Sequence, residues 1–296
     1  MPKLLSLSLQ ESLYIKTIGG LIQLIRVPNL VILVLTQYLT RIFLIGPAYS
    51  WKNILLDYRF FLLVLSTVLI ASAGYIINDY YDIKIDTINK PNRVIIGRIF
   101  KRRIAMAAHT VLNLLGIGIG FYISKYIFLI NTLAAVWLWF YSNRLKRLPF
   151  LGNFSIASLT ALSIFIVDIY FLAFNPHIYV FGVFALIISL IREIIKDIED
   201  IKGDLRFGCK TLPIVLGIRK TKIIIYFFLL TLIFTITGYA HYTSNTAMKY
   251  YCLFMFVPTI FFIYRIYFAD TKRAYHFLSM YCKLIMVSGA IVMIFL

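Results

Sequence analysis

Acidic residues are scarce in this chain: 12 Asp and Glu stand against 30 Lys and Arg among 296 residues. Cysteine is scarcer still. Cys209, Cys252 and Cys282 are an odd, scattered set without a CxxC pair, so neither a disulfide framework nor a zinc site is supported. The four histidines, His109, His177, His241 and His276, are equally dispersed and give no basis for a histidine-held metal or haem. Charged residues make up only 14% of the chain, against roughly a quarter in a soluble globular domain. The small-residue cleavage pattern of a signal peptide is also missing. Residues 1–20, where Glu11 and Lys16 interrupt apolar positions, are expected to form an amphipathic helix on the membrane surface.

What fills the chain instead is apolar. Hydrophobic residues account for 61% of it and the mean hydropathy is +0.87. Runs of about 20 apolar residues recur, each long enough to cross a hydrocarbon core of about 30 Å. The fold class is therefore all-α and polytopic, one integral-membrane domain over 1–296 with no soluble module or linker. Nine transmembrane helices are expected, at about 27–46, 57–78, 103–123, 126–141, 155–174, 178–195, 221–240, 250–268 and 276–296. The connections after the second and sixth spans, about 79–102 and 196–220, are long and the others short. Pro91, Pro149, Gly203, Gly208 and Pro213 punctuate these connections.

The net charge of +18 reflects topology rather than nucleic-acid binding. Of the 30 basic residues, 21 fall in or beside the loops after the even-numbered spans. The opposite loops hold little beyond Lys52, Lys125 and Lys249. By the positive-inside bias the even-numbered loops and the N-terminus face the cytoplasm and the C-terminus faces out.

Against this background the acidic residues stand out, because eight of the 12 lie in two short windows. The first reads Asn78-Asp79-Tyr80-Tyr81-Asp82-Ile83-Lys84-Ile85-Asp86, and the second contains Asp197, Asp200 and Asp204, with Glu193 and Glu199 nearby. The spacing is the same in both, and matching aspartates lie 118 positions apart (79 to 197, 82 to 200, 86 to 204). On a helix, offsets of 3, 4 and 7 bring three carboxylates to one face. Stacked like charges destabilise a helix unless something neutralises them. Magnesium does so, favouring one or two carboxylates with phosphate oxygens and water. Two such faces could hold two magnesium ions bridged by a diphosphate, with Arg93, Lys146, Arg192 and Lys196 on its remaining oxygens. The plainer reading is a pair of solvated helix ends matched to neighbouring cations. The equal spacing at equivalent loop positions speaks against it.

These residues resemble the UbiA superfamily of intramembrane prenyltransferases. Asn78 through Asp86 fits the family's NDxxDxxxD motif, and Asp197 through Asp204 its second aspartate-rich motif. Tyr141-Ser142-Asn143-Arg144-Leu145-Lys146-Arg147, with Pro149 and Gly152-Asn153, looks like the family's loop after the fourth helix. Gly208-Cys209-Lys210-Thr211-Leu212-Pro213 matches the stretch after the second motif. The resemblance covers essentially the whole chain and implies nine helices around a central cavity. It implies transfer of a prenyl group from an allylic diphosphate to a lipophilic acceptor, with Asn78, Asp82, Asp86, Asp197, Asp200 and Asp204 as magnesium ligands. Asp82, Asp86, Asp200 and Asp204 carry the catalysis in this reading, and Tyr80, Tyr81 and Tyr141 are the aromatic residues placed to shield a cation.

Arg192 through Asp200, and Asn89-Lys90-Pro91-Asn92-Arg93, look most like the branch that prenylates geranylgeranylglyceryl phosphate. That implies geranylgeranyl diphosphate as donor, membrane lipid as partner, no nucleic acid, and a prokaryotic plasma membrane as the setting. The alternative acceptor is an aromatic quinone precursor, dihydroxynaphthoate or 4-hydroxybenzoate. The non-enzymatic alternative is a cation transporter, which would place its ion site near the bilayer midplane on broken helices. A CDP-alcohol phosphatidyltransferase would show a DG…AR pattern that is missing here. Asp168, alone within an apolar span, is either a functional acid or a structural hydrogen-bond partner.

Overall fold

The computed structural model describes residues 17–46, 50–243 and 246–295. Among them are nine long helices, here α1 (Val27–Leu39, extended by a π-helical segment Thr40–Ile45), α2 (Tyr58–Asn89), α3 (Arg102–Ile123), α4 (Lys125–Asn143), α5 (Leu151–Phe171), α6 (Pro176–Arg206), α7 (Ile218–Tyr242), α8 (Thr246–Tyr267) and α9 (Lys272–Ile291). No strand occurs among the described residues beyond one bridge between Ile96 and Phe100. Eight of the nine are long and apolar enough to cross a membrane. In α4 the Trp, Tyr and Asn side chains dilute the aliphatic content. The expected surface helix over 1–20 falls mostly outside the described residues; 17–24 are helical, with Gly20 and Leu24 buried and the rest of that segment exposed.

α2 and α6 dominate the architecture. At 32 and 31 residues they run about 48 and 46 Å, well beyond the apolar thickness of a bilayer. Their C-terminal turns therefore extend past the lipid as polar helix. The long connections expected at 79–102 and 196–220 are thus shorter, because helix persists to Asn89 and Arg206. Asp57 starts α2 by accepting the N–H groups of Arg59 and Phe60 at 3.0 and 3.2 Å, and Pro91 stops it. Asn175 caps α6 ahead of Pro176, and Gly208, at φ +71°, turns the chain away from it.

Packing places these two helices at the centre. α2 lies mainly on α3 and α4, while α6 lies on α5, α7 and α9. In lipid, burial of apolar surface gives little drive for helices to associate, so small residues and polar bridges matter. Asn131 of α4 donates to Ser66 Oγ of α2 at 3.1 Å and to the Gly116 carbonyl of α3 at 3.0 Å. Gln37 of α1, fully buried, donates to the Ser163 carbonyl of α5 at 2.9 Å. Each such bridge contributes on the order of 1 kcal/mol.

Asp168 takes its place in this scaffold. Its buried carboxylate accepts the Asn175 N–H at 3.2 Å, while Asn175 caps His177 and donates to the Leu44 carbonyl. It is absent from the cavity lining.

Candidate active site

A cavity of about 800 Å³ opens between α1, α2, α4, α5, α6 and α9. Its deep walls are apolar, with Ile70, Ala71, Ala134, Leu162 and Phe181 among them. Its mouth carries the charges. The residues expected to hold the metal and the diphosphate all line it: Asn78, Asp82 and Asp86 from α2, Arg192, Lys196, Asp197, Asp200 and Asp204 from α6, and Arg93 and Lys146 from the short turns after α2 and α4. Tyr141 also lines it. Tyr80 does not; its ring packs beside Ile76 and Ala105 and under the Arg102 guanidinium, 5.5 Å from the ring centroid. Tyr81 stacks edge-on against it, away from the cavity lining.

The two motifs face one another through shared cations. Lys146 donates to Asp82 Oδ1 at 2.6 Å, and its ammonium is 3.5 Å from the Asn78 carbonyl and side-chain oxygens. Lys90, one residue past α2, pairs with Asp200 of α6. Burial disfavours the Lys90 ammonium, but Asp200, helped by Asp86, raises its pKa above the ordinary lysine value. Asn153 of α5 donates to Asp197 Oδ2 at 2.8 Å. The carboxylates also act on each other across the gap: Asp200 on Asp86, and Asp82 on Asp204.

Sequence reasoning misses several contributors. Arg26, at left-handed φ of 54° just before α1, reaches Asp79 with an Nη2–Oδ1 distance of 2.7 Å. Burial opposes its charge, and Asp79, joined by Tyr75 and Glu193, more than compensates, so its pKa lies above the ordinary guanidinium value. Lys90 and Asn153 fall in stretches that carry the family resemblance, but nothing beside them names Asp200 or Asp197 as partner. Lys283 of α9 does give a local signal, as a lone cation inside the apolar run 276–296. It donates to Asn29 Oδ1 at 2.9 Å and lines the cavity.

The donors suit a hard cation held partly by its substrate. Among the described residues, no three His, Cys, Asp or Glu side chains converge to hold a metal by themselves. Spare acceptor capacity is nevertheless present. Asp200 Oδ1 is buried without a hydrogen-bond partner, and Asp86 and Asp204 make no ion pair among the described residues. Carboxylates supplying one or two ligands each, with phosphate and water completing the shell, are what magnesium accepts.

Residues 41–284 match the UbiA prenyltransferase family. The digeranylgeranylglyceryl phosphate synthase of Methanosphaera stadtmanae is 32% identical over 244 residues, 81% of this chain and 86% of that protein. The Sulfolobus acidocaldarius protein of the same name is 34% identical over 219 residues, 74% of this chain and 77% of that one. A solved structure of a UbiA homolog from Archaeoglobus fulgidus bound to GPP and Mg2+ superposes with a TM-score of 0.68 at 16% identity, covering 93% of this chain and 99% of that one. A structure concerning digeranylgeranylglyceryl phosphate synthase in membranes gives 0.69 at 24% identity, covering 94% and 98%. A multi-pass membrane chain with two aspartate-rich helix ends over one apolar cavity, matched along most of its length, this protein belongs to the UbiA prenyltransferase family and is a prenyltransferase.

Proposed function

We propose that this enzyme transfers a geranylgeranyl chain from geranylgeranyl diphosphate to the free hydroxyl of geranylgeranylglyceryl phosphate, with magnesium as cofactor. The observation that carries the reading is the juxtaposition of two carboxylate-rich helix ends, with unfilled acceptor capacity, over a deep apolar cavity. The names of the relatives support the acceptor, and the GPP and Mg2+ of the Archaeoglobus fulgidus homolog support the donor class and the metal.

Asn78, Asp82 and Asp86 on one side, and Asp197, Asp200 and Asp204 on the other, are the residues that would hold magnesium, one ion to each motif. Bound there, magnesium supplies Lewis acidity to the diphosphate leaving group. Lys146, at the seam between the motifs, and Arg93 and Lys90 at the rim offer ammonium and guanidinium donors to the diphosphate oxygens. Charge builds on those oxygens as the C1–O bond breaks, so donors fixed beforehand stabilise the transition state more than the ground state. The apolar cavity takes the prenyl tail and excludes water from the allylic centre, directing capture towards the acceptor oxygen. As that oxygen bonds to C1, the departing diphosphate, gaining charge, takes the hydroxyl proton. Tyr141, beside the motifs, presents an aromatic ring towards the cavity that would steady a developing allylic cation.

The excess of Lys and Arg in the loops on this side of the membrane supports a cytoplasmic active site. The test is direct. Purified protein with magnesium and geranylgeranyl diphosphate is offered geranylgeranylglyceryl phosphate, dihydroxynaphthoate and 4-hydroxybenzoate separately, and the prenylated product is measured by mass spectrometry. Prenyl transfer to the glyceryl phosphate alone is the expected result, and transfer only to an aromatic acid would overturn the acceptor assignment.

A further inference from the structure

The charges around the cavity mouth are not mixed evenly. Five motif carboxylates, Asp82, Asp86, Asp197, Asp200 and Asp204, meet three cations, Lys90, Arg93 and Lys146, leaving an excess of two negative charges. On the side formed by α1, α9 and the preceding turn of α6 the sign reverses. Arg26, Arg192, Lys196 and Lys283 meet Asp79 and Glu193, an excess of two positive charges.

This second half is arranged around one carboxylate. Glu193 is 2.6 Å from Arg192 Nη1 and 2.8 Å from Lys196 Nζ, so one anion is shared by two cations. Lys283 feels the charges of Arg192, Lys196 and Arg26 as well as that of Glu193, and among the described residues it has only the neutral Asn29 oxygen as hydrogen-bond partner. Arg192 Nε is buried and makes no hydrogen bond among the described residues. Uncompensated cations taken out of water are costly, and a bound anion offsets the cost. The metal-dependent half already suits one anionic substrate; the basic half suits a second one that needs no metal.

Resting on the acceptor class proposed above, we infer that Arg192 and Lys196, expected from sequence on the donor's diphosphate, instead form with Lys283 a phosphate-monoester subsite for the acceptor's head group, distinct from the carboxylate-lined subsite for the donor's diphosphate. The acceptor's phosphate is then an anchor. It sets the glyceryl hydroxyl towards the allylic carbon and discriminates against acceptors without a phosphate, because a site built for a charged partner rejects its uncharged analogue.

Lys283 gives the clean test, since removing its charge leaves no carboxylate stranded. Lys283→Met and Lys283→Arg are compared with the wild type in three measurements: magnesium-dependent binding of radiolabelled geranylgeranyl diphosphate, KM for geranylgeranylglyceryl phosphate, and KM for the dephosphorylated alcohol. Losing one charged hydrogen bond predicts a KM for the phosphorylated acceptor raised roughly ten- to a hundredfold in Lys283→Met. Donor binding and the alcohol's KM stay unchanged, and Lys283→Arg restores most of the loss. Unchanged donor binding also certifies that the variant is folded. Equal weakening of donor and phosphorylated acceptor would assign Lys283 to the diphosphate site and overturn the proposal. So would an unaltered preference for phosphate over alcohol. If the wild type binds donor yet prenylates no glyceryl phosphate, the acceptor assignment itself fails and the subsite with it.

Discussion

The Asn89 side chain is docked onto the backbone of α6 at Gly203. Its Oδ1 accepts the Gly203 N–H at 2.9 Å while its Nδ2 donates to the Asp200 carbonyl at 2.8 Å. A Cβ at position 203 would lie 2.5–2.7 Å from the Asn89 amide, closer than any side chain tolerates. This contact joins the last turns of the two helices that carry the aspartate motifs. Gly203→Ala is therefore expected to push α2 and α6 apart at the site, destabilising the protein by about 1–3 kcal/mol and lowering turnover with it. Asn89→Ala, which empties the contact, should cost less stability but also loosen the motifs. Thermal unfolding in detergent and turnover per folded molecule check both; a wild-type Gly203→Ala would show that the clamp is dispensable.

Asp82 and Asp200 sit opposite each other in role, each held by a lysine from a turn outside its own helix. Replacing either by Asn keeps the shape and removes the charge. Turnover is expected to fall at least about a hundredfold, as for loss of one fixed electrostatic contact in an active site. The magnesium concentration for half-maximal rate should rise as well. Titrating magnesium against product formation gives both numbers, and full activity in either variant sinks the metal assignment.

Much of this site is legible in the chain because its signal is local. The 3, 4, 7 spacing of Asp79, Asp82 and Asp86, repeated at 197, 200 and 204, needs only helical periodicity to become two acidic faces. Hydropathy, however, marks where lipid contact ends rather than where helix ends. The runs at 57–78 and 178–195 stop short of Asn89 and Arg206 because the last turns stand in water and need no apolar residues. Long-range pairs leave no such trace. Arg26 and Asp79 are 53 positions apart, Lys283 and Asn29 are 254 apart, and nothing beside either residue names its partner. The sorting of the basic residues into two groups is likewise a product of packing. Lys146 and Arg192 read alike in sequence, yet one bonds to the first motif and the other to Glu193.

The three cysteines are free and buried. Burial pushes the Cys209 thiol, at the cavity wall, up to about 11, with Asp204 adding to the effect. Native protein at neutral pH is expected to show no fast-reacting thiol with a maleimide, and three after denaturation. The sign for stability follows from the raised value. Cys209 contributes nothing unfavourable below the ordinary thiol pKa, and stability is lost as pH rises from about 9 towards about 11, where the unfolded chain ionises first. Cys209→Ser should blunt that alkaline loss, measured as the melting temperature from pH 8 to about 11. An identical profile in the variant would remove Cys209 as its source.

Asp168 separates scaffold from chemistry. Its carboxylate serves the Asn175 N–H at the start of α6 and lies outside the cavity lining. Asp168→Ala is expected to cost about 0.5–2 kcal/mol, as loss of a helix-start acceptor does, and to leave KM for donor and acceptor unchanged. Asp168→Asn, which keeps an accepting oxygen, should behave nearly as wild type. A large fall in turnover with unaltered melting would return Asp168 to the list of functional acids.

Donor length is expected to follow the depth of the apolar wall, and Ala71 marks a point on it. Ala71 lies 11 residues before Asp82 on α2, about 16 Å down the helix from the diphosphate end, and it lines the cavity. One turn closer, Gly74 offers no comparable lever, because a Cβ there would already meet Leu138 at 2.9 Å. A phenyl ring at 71 projects into open volume instead. Ala71→Phe should therefore block the last isoprene units of a long tail while leaving the reacting end untouched. The expected outcome is a fall in kcat/KM for geranylgeranyl diphosphate, with geranyl diphosphate retained or improved, and magnesium dependence unchanged for both. Competition between the two donors in one reaction, read by product mass, measures the switch. A uniform loss for both donors would show that position 71 supports the fold rather than gauging the tail.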